Sequence, residues 1–198
     1  MIGIIDYGIG NIGSLTNAFR FLNIPCIYSG DQKKLSECDR LILPGVGAFQ
    51  PAMDVLTTLK LDRFIQNWAM DGKHLLGICL GMQLLLSESE ENGLTSGLNI
   101  IPGKVIPIKG GSRKIHIGWN QVKPVGDHSI VPSKGYAYFV HSYASKPANK
   151  THIAAQTKYG ESFASVIQKG SVIGVQFHPE KSQDYGMDIL RRFSVEPF

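Results

Sequence analysis

Short apolar runs alternate with segments of helical periodicity through the first half of the chain, and this alternation restricts the fold more than any other feature. The run at 2–5 precedes apolar residues at helical spacing between 12 and 22. Further strands are predicted at 26–28, 41–43 and 75–78, and further helices at 61–70 and 82–87. The pattern predicts an α/β fold of three layers, in which helices flank a central, mostly parallel sheet and ligands gather at the carboxyl ends of its strands.

The second half of the chain carries shorter strand-like stretches, which predict an additional antiparallel β region. These stretches lie at 138–140, 163–167 and 172–177, and a closing helix is expected at 185–193. With 198 residues, 43% of them hydrophobic, the chain is expected to form a single domain over 1–198 with its own core.

Charge and cysteine usage exclude several classes of function. The net charge is +4, but the densest group of cations, at 109–114, holds three without interleaved aromatics, so a solvated loop is favoured over a nucleic-acid site. Three cysteines without CxxC spacing indicate neither a disulfide framework nor a zinc cluster. The N-terminus lacks the pattern of a signal peptide, and no apolar run approaches the roughly 18 to 20 residues that span a bilayer. We therefore expect a cytoplasmic protein without a metal, a cofactor or a membrane partner.

The segment Gly77-Ile78-Cys79-Leu80-Gly81 is the strongest local signal of chemistry. It ends a predicted strand and opens a predicted helix, and its G-x-C-x-G pattern is typical of a nucleophile elbow. Flanking glycines permit the sharp turn that lifts the central side chain out of the sheet, beside the positive end of the helix dipole. A buried structural cysteine is the alternative, and it is the interpretation adopted for Cys26 and Cys38.

A cysteine nucleophile needs a base, and the base needs an orienting group. His178 and Glu180 follow the predicted strand at 172–177 and are separated only by a proline, which restricts the backbone between them. We therefore predict a catalytic triad of Cys79, His178 and Glu180. Among the other histidines, only His141, in front of Ser142-Tyr143, has a suggestive context, as a lining or a core residue.

Attack on an amide creates an oxyanion, which needs two backbone N–H donors. The Pro44-Gly45-Val46-Gly47 turn follows the strand at 41–43 and would lie at the same sheet edge as the elbow. We predict one donor from Gly45 or Val46 and the second from Leu80, although an ordinary turn is the simpler interpretation of this sequence.

The opening loop offers a competing interpretation. Gly8-Ile9-Gly10-Asn11-Ile12-Gly13 matches the G-x-G-x-x-G pattern of dinucleotide binding, and Asp31 lies 18 residues beyond as a possible ribose ligand. Asp6, however, would bring negative charge to the pyrophosphate, and a nicotinamide site leaves the triad unexplained.

Several segments together resemble a known family. Three of them are similar to class I glutamine amidotransferases: PGVG at 44–47, GICLGMQ at 77–83 and FHPEKS at 177–182. Three more resemble the glutaminase subunits of imidazole glycerol phosphate synthase within that class: DYGIGNIGS at 6–14, IGWN at 117–120 and YFVHSY at 138–143. The resemblance implies the class I amidotransferase fold and the hydrolysis of glutamine, with ammonia passed to a (β/α)8-barrel cyclase subunit for histidine biosynthesis.

The resemblance also implies roles for individual residues. Cys79 would form the glutamyl thioester, with His178 moving the proton and Glu180 orienting the imidazole. The residues implied to hold glutamine are Gly47, Gln83, Glu91, Ser142 and Tyr143. Those implied to face the cyclase are Asn11, Trp119 and Lys181. In this family the isolated glutaminase is almost idle, and a rearrangement at Gly45-Val46 accompanies activation.

Other functions stay open at this point. Ile115 stands where the family usually has proline before its Gly-Trp-Asn segment, and related glutaminase subunits supply ammonia for sugar amination in surface-polysaccharide pathways. A non-catalytic module that senses glutamine or docks a partner is an alternative from another class. A cysteine peptidase on a similar fold is a further enzymatic alternative.

Overall fold

Parallel strands alternate with helices in the first half, as the apolar periodicity predicts. The structure, a computed structural model, describes residues 1–109, 114–126 and 128–195. The first strands are β1 (Ile2–Ile5), β2 (Cys26–Ser29), β3 (Arg40–Leu43) and β4 (His74–Ile78). The helices between and after them are α1 (Ile12–Phe21), α2 (Gln32–Ser36), α3 (Phe49–Thr58), α4 (Leu61–Met70) and α5 (Leu80–Leu84).

The second half is dominated by strands and ends in a helix. The strands are β5 (Glu88–Ser89), β6 (Thr95–Ser96), β7 (Gly103–Pro107), β8 (His116–Pro124), β9 (Gly135–His141), β10 (Tyr143–Pro147), β11 (Ile153–Tyr159), β12 (Glu161–Lys169) and β13 (Val172–Val175). Short 3-10 turns occupy Lys150–His152 and Pro179–Lys181, and α6 (Gln183–Val195) closes the described chain.

The larger sheet has a parallel part and an antiparallel part. Its order is β2-β1-β3-β4-β13-β12-β11-β8-β9, and the strands from β2 to β13 pair in parallel, whereas those from β13 to β9 pair antiparallel. A smaller sheet has the order β10-β7-β5-β6. The predicted α/β class, with a parallel centre and an added antiparallel region, is confirmed. Strand β13 enters the parallel centre beside β4, and this places the ends of the two strands together.

The core lies on both faces of this sheet, because successive side chains of a strand point to opposite faces. In β3, Leu41 and Leu43 pack in the cluster that includes α3 and α4, whereas Ile42 packs in the cluster that includes α1 and α6. The three-layer arrangement follows from this alternation. Within the described ranges, every helix is too short or too polar to cross a membrane.

One predicted helix is wrong in its bounds. Instead of 82–87, α5 covers Leu80–Leu84. The carbonyls of Leu84, Leu85 and Leu86 accept hydrogen bonds from the N–H groups of residues 98, 100 and 99, at 2.9 to 3.0 Å. Because those distant residues occupy the acceptors, the helix ends early.

The cation group predicted at 109–114 lies mostly outside the described residues.

Candidate active site

Cys79 lies on a strained turn between β4 and α5. Its φ of 54° and ψ of −109° are unusual for a residue with a side chain. The flanking glycines are required by packing: a Cβ on Gly77 would lie 2.6 Å from the Gly81 carbonyl oxygen, and a Cβ on Gly81 would lie 1.9 Å from that of Leu43. The local sequence therefore forms the sharp elbow that the G-x-C-x-G pattern predicts.

His178 reaches the same sheet edge from the neighbouring strand. Val175 of β13 pairs with Ile78 of β4, so the residues that follow the two strands emerge side by side. His178 Nδ1 lies 2.9 Å from Glu180 Oε1, and both side chains are 3% exposed. The structure therefore brings the three residues of the predicted triad to one edge of the sheet.

The electrostatics of His178 favour its charged form. Burial lowers the pKa of His178, but pairing with Cys79 and Glu180 outweighs burial and raises it to about 10. Among the described residues, Nε2 of this ring makes no hydrogen bond apart from its interaction with the Cys79 sulfur, so it is available to that sulfur and to a substrate. An imidazolium beside a thiolate is the pair that nucleophilic attack by cysteine requires.

A cavity of about 260 Å³ opens at Cys79. Its lining includes all the residues that the resemblance assigns to glutamine: Gly47, Gln83, Glu91, Ser142 and Tyr143. Its other lining residues are Val46, Cys79, Leu80, Ile115, Val140, His141 and His178. A larger groove of about 720 Å³, lined by Met70, Asn99 and Lys169, contains no member of the triad. The smaller cavity is therefore the candidate active site, because it joins the nucleophile to polar groups.

Two polar side chains of the cavity are held by their own hydrogen bonds. Gln83 Nε2 donates to Tyr143 O at 3.0 Å and to Gln176 Oε1 at 3.1 Å, so both of its protons are used and its Oε1 is left to accept. Glu91 Oε2 accepts from Phe49 N at 2.8 Å, at the start of α3. The cavity wall thus offers an amide oxygen and a carboxylate in restrained positions.

The predicted oxyanion loop lies beside the elbow. Gly45 is buried so tightly that an added Cβ would lie 2.8 Å from Tyr7 Oη and 2.9 Å from Leu80 Cβ. Val46 and Leu80 line the cavity, and their N–H groups donate to no backbone carbonyl of the described residues. Both groups are candidates to stabilise an oxyanion, and this role stays a prediction.

Comparison with known proteins agrees with this site. The family model for glutamine amidotransferase class-I matches residues 3–196. The chain belongs to the class I glutamine amidotransferases. A protein of Bacillus licheniformis named imidazole glycerol phosphate synthase subunit HisH is 46% identical over 98% of this chain and 95% of its own length. A protein of Chlorobaculum tepidum with the same name is 44% identical over 98% and 99%. These relatives confirm the resemblance predicted from the six segments.

The fold of the amidotransferase is also found in a solved structure. A crystal structure of a glutamine amidotransferase superposes with a TM-score of 0.78, covering 97% of this chain and 96% of that one. Because the two sequences are only 17% identical, this likeness shows the fold alone.

The residues predicted to face a partner lie on accessible surface near the triad. Trp119 of the amidotransferase is 49% exposed and is therefore a surface residue rather than part of the core. Lys181 is exposed directly after Glu180, and Asn11 is half-buried and lines a small cleft that also contains Glu180. Contact with a partner stays a prediction for all three.

The dinucleotide interpretation of the opening loop is not supported. The Asp31 carboxylate accepts from Lys33 N at 2.9 Å and caps α2, so it is already engaged. Asp6 Oδ1 accepts from Gly8 N at 3.0 Å inside the loop itself. Both carboxylates therefore have local structural roles in the amidotransferase.

Sequence reasoning missed two buried residues of the site. Gln176 Nε2 lies 3.9 Å from Cys79 Sγ, and Tyr7 Oη donates to Pro44 O at 2.7 Å, next to the oxyanion loop. The only signal for Gln176 was its place in front of Phe177-His178, and the only signal for Tyr7 was its place in the opening loop. His141, left open as a lining or a core residue, is both buried and part of the cavity wall.

Proposed function

We propose that this chain is the glutaminase subunit of imidazole glycerol phosphate synthase, which hydrolyses glutamine and supplies ammonia to a cyclase subunit in histidine biosynthesis. The observation that carries the proposal is the 260 Å³ cavity, in which Cys79 and His178 meet the polar wall of Gln83 and Glu91. The relatives that are named as HisH subunits of imidazole glycerol phosphate synthase support the assignment to histidine biosynthesis. We further propose that residues 1–198 form one domain and that the protein is cytoplasmic, since its three cysteines are unpaired.

The first half of the reaction forms a thioester. The Cys79 thiolate attacks the side-chain amide carbon of glutamine, and the carbonyl electron pair moves to oxygen, where the N–H groups of Leu80 and the Gly45-Val46 loop would stabilise it. His178 then donates its Nε2 proton to the amide nitrogen as the C–N bond breaks. Ammonia leaves, and a γ-glutamyl thioester remains on the sulfur.

The second half releases glutamate. Water attacks the thioester carbonyl and gives one proton to the now neutral His178, while the C–S bond breaks and restores the thiolate. The carboxylic acid formed ionises to glutamate. Glu180 keeps the imidazole oriented through both steps by accepting from Nδ1.

Glutamine would be recognised by the side chains that hydrogen bonds restrain in the cavity wall. A carboxylate such as that of Glu91 suits the α-amino group of the substrate, and Gln83 Oε1 offers an acceptor. Gly47, Ser142 and Tyr143 would complete the wall. Gly47 has a φ of +93° with open space around its Cα, which allows a ligand to approach the backbone closely.

A partner surface next to this site would couple hydrolysis to ammonia use. Ile117, Trp119 and Tyr136 are 57%, 49% and 58% exposed on one face of the β8–β9 pair. Tyr138, on the same face, contacts the Trp119 ring and accepts from His178 N at 3.0 Å through its carbonyl. A barrel cyclase that packs on this face, together with Asn11 and Lys181, would therefore act directly on the catalytic turn.

The test is glutamate release from glutamine by the chain alone and with a barrel cyclase subunit plus that subunit's phosphoribosyl ligand. We expect a rise of about 100-fold or more with the liganded partner, within the range that one positioned oxyanion donor supplies. Cys79→Ala is the inactive control. Trp119→Ala should weaken the partner's effect while leaving the low rate of the isolated chain unchanged.

The other outcomes point elsewhere. No rise with that partner, but a rise with a sugar-aminating synthase, would favour the polysaccharide pathway. Failure of a thiol-directed glutamine analogue to label Cys79, even with the partner present, would favour a binding module. Hydrolysis of peptides but not of glutamine would indicate a peptidase.

A further inference from the structure

Two buried histidines lie outside the triad and have no role in the steps above. His116 of β8 and His141 of β9 are 3% and 6% exposed and stand opposite each other in the strand register. His116 Nδ1 lies 3.0 Å from His141 Nε2. Buried polar groups of this kind cost stability unless their hydrogen bonds are complete, so the pair needs an explanation.

The direction of the hydrogen bonds follows from a fixed acceptor at one end. His141 Nδ1 lies 2.8 Å from the carbonyl oxygen of Tyr143, which can only accept. His141 Nδ1 therefore carries a proton, and in the neutral ring Nε2 must accept. His116 Nδ1 is then the donor to His141, and His116 Nε2 becomes the next acceptor.

At the His116 end of this series of hydrogen bonds, a donor faces the Nε2 acceptor. Asn120 Nδ2 lies 3.1 Å from His116 Nε2 and donates to Lys158 O at 2.9 Å, while its Oδ1 accepts from Gln121 N at 2.7 Å. These two backbone groups fix the orientation of the amide, so its nitrogen must face the imidazole. A proton added to either ring would place two N–H donors against each other and break one link.

The surroundings keep both rings neutral. The His116 ring stacks on Tyr159 at 4.3 Å and on Phe139 at 4.8 Å between centroids. Burial lowers the pKa of His116 to about 4 and that of His141 to about 3. Tyr159 from β11 stacks on the His116 ring, and the charge of His178, after β13, lowers the pKa of His141. Cys79 and Glu91 line the same cavity as His141, but no carboxylate of the described residues contributes to either pKa.

At its His141 end, this series of hydrogen bonds reaches the active site. Tyr143 O also accepts from Gln83 Nε2 at 3.0 Å, so both of its lone pairs are used. Gln83 in turn donates to Gln176 Oε1 at 3.1 Å, and Gln176 Nε2 lies 3.9 Å from Cys79 Sγ. Hydrogen bonds thus connect the strand that bears Trp119 with the side chains around the nucleophile.

We propose that His116 and His141 are positioning residues for glutamine hydrolysis. As neutral Nδ1–H tautomers, His116 donates to His141 and His141 donates to the Tyr143 carbonyl. This carbonyl in turn fixes Gln83 in the wall of the glutamine cavity. This inference rests on the proposed glutaminase function. Because β8 presents Trp119 on its outer face and His116 on its inner face, a shift of this strand would reach the cavity through the same hydrogen bonds.

Two substitutions at His116 separate positioning from packing. His116→Phe keeps an aromatic ring on Tyr159 but removes the donor to His141, whereas His116→Asn keeps a donor nitrogen in place of Nδ1 but removes the ring. A packing role predicts that Phe is tolerated better, and a positioning role predicts the reverse. His128→Asn, at a half-buried histidine away from the site, is the matched control.

The readout is the rate at which Cys79 of the full chain is alkylated by the glutamine analogue acivicin, compared with iodoacetamide. We expect His116→Phe to slow acivicin labelling about tenfold through weaker binding, with iodoacetamide changed by less than about twofold, since one directed hydrogen bond is lost. His116→Asn should stay within about threefold of the unsubstituted protein. The reverse order of the two variants, or equal slowing of both reagents, would overturn the proposal.

A second measurement needs no variant. Long-range ¹H–¹⁵N spectra of the imidazoles at neutral pH should show His116 and His141 as neutral Nδ1–H tautomers. Nε2–H tautomers or imidazolium signals would overturn the hydrogen-bond chain whatever the labelling rates. If acivicin does not label the unsubstituted protein even with the partner subunit present, the glutaminase proposal fails, and the spectra still decide whether these hydrogen bonds exist.

Discussion

In the parallel half of the sheet, Cys79 is placed by its immediate neighbours in the chain, whereas in the antiparallel half His141 meets His116 only because two strands pair in register. The elbow needs Gly77 and Gly81 within two residues of the nucleophile. The histidine pair joins positions 25 residues apart. A local turn therefore supplies the reactive atom, and long-range pairing supplies the wall against which a substrate is held.

The largest expected effect concerns the nucleophile, which is placed by its neighbours in the sequence. Cys79→Ala should lower glutamate release by at least about 1,000-fold, because loss of a nucleophile removes the covalent route. Cys26→Ala, at a half-buried cysteine of β2, should change the rate by less than about twofold and serves as the control. Comparable losses in both variants would contradict the assignment of Cys79.

The elbow itself can be broken without touching the sulfur. Gly81→Ala would place Cβ 1.9 Å from the Leu43 carbonyl oxygen, and backbone atoms cannot move aside as a side chain can. We expect the free energy of unfolding to fall by about 3 kcal/mol or more, measured by urea denaturation. Gly13→Ala in α1 has no heavy atom within 4 Å of the new Cβ and should leave stability unchanged or slightly raised. Equal effects of the two changes would show that the elbow is not tightly packed.

The His178–Glu180 pair links the two halves, because it follows β13 at their boundary. Glu180→Gln removes the carboxylate that helps raise the pKa of His178, so that pKa should fall below about 10 in an NMR titration of the imidazole. We also expect the rate of glutamate release to fall about 100-fold, since the ring loses its orienting acceptor. Glu161→Gln, at an exposed carboxylate of β12, is the control for charge. An unchanged titration of His178 would contradict the pairing.

The smallest effect concerns the antiparallel half and its buried histidines. Unfolded histidine titrates near its ordinary pKa of 6.5, whereas burial lowers the pKa of His116 to about 4. Between these two pKa values the His116 imidazole is protonated in the unfolded state but neutral in the folded state. The free energy of unfolding therefore falls as the pH drops from 6.5 towards 4. His178, whose pKa is raised to about 10, stays protonated in the folded state, and its unfolded form is also protonated over most of this window, so it adds slope only near pH 6.5.

His116→Phe should therefore flatten the pH dependence of the free energy of unfolding by about 1 kcal/mol per pH unit in that window. Urea denaturation at several pH values measures the slope, and comparing slopes cancels any uniform loss of stability. If His116→Phe keeps the original slope, His116 is not buried in its neutral form.

The sequence by itself determined the features whose geometry is decided within a few residues. The alternation of apolar runs predicts the sheet and its helices, G-x-C-x-G predicts the elbow, and His-Pro-Glu predicts the triad pair, because short-range sterics and strand ends decide each of them. The residues that the resemblance assigned to glutamine also line one cavity.

Only the tertiary structure decided the features that depend on distant partners. Helix α5 ends at Leu84, and the carbonyls of Leu84 and of the two residues after it bond to the N–H groups of residues 98–100, which no local pattern reveals. Gln176 reaches Cys79, and His116 reaches His141, through strand pairing between segments far apart in sequence. The physical reason is that the hydrogen-bond capacity of a buried polar group has to be filled by whichever group the fold brings next to it, and sequence spacing does not encode that neighbour.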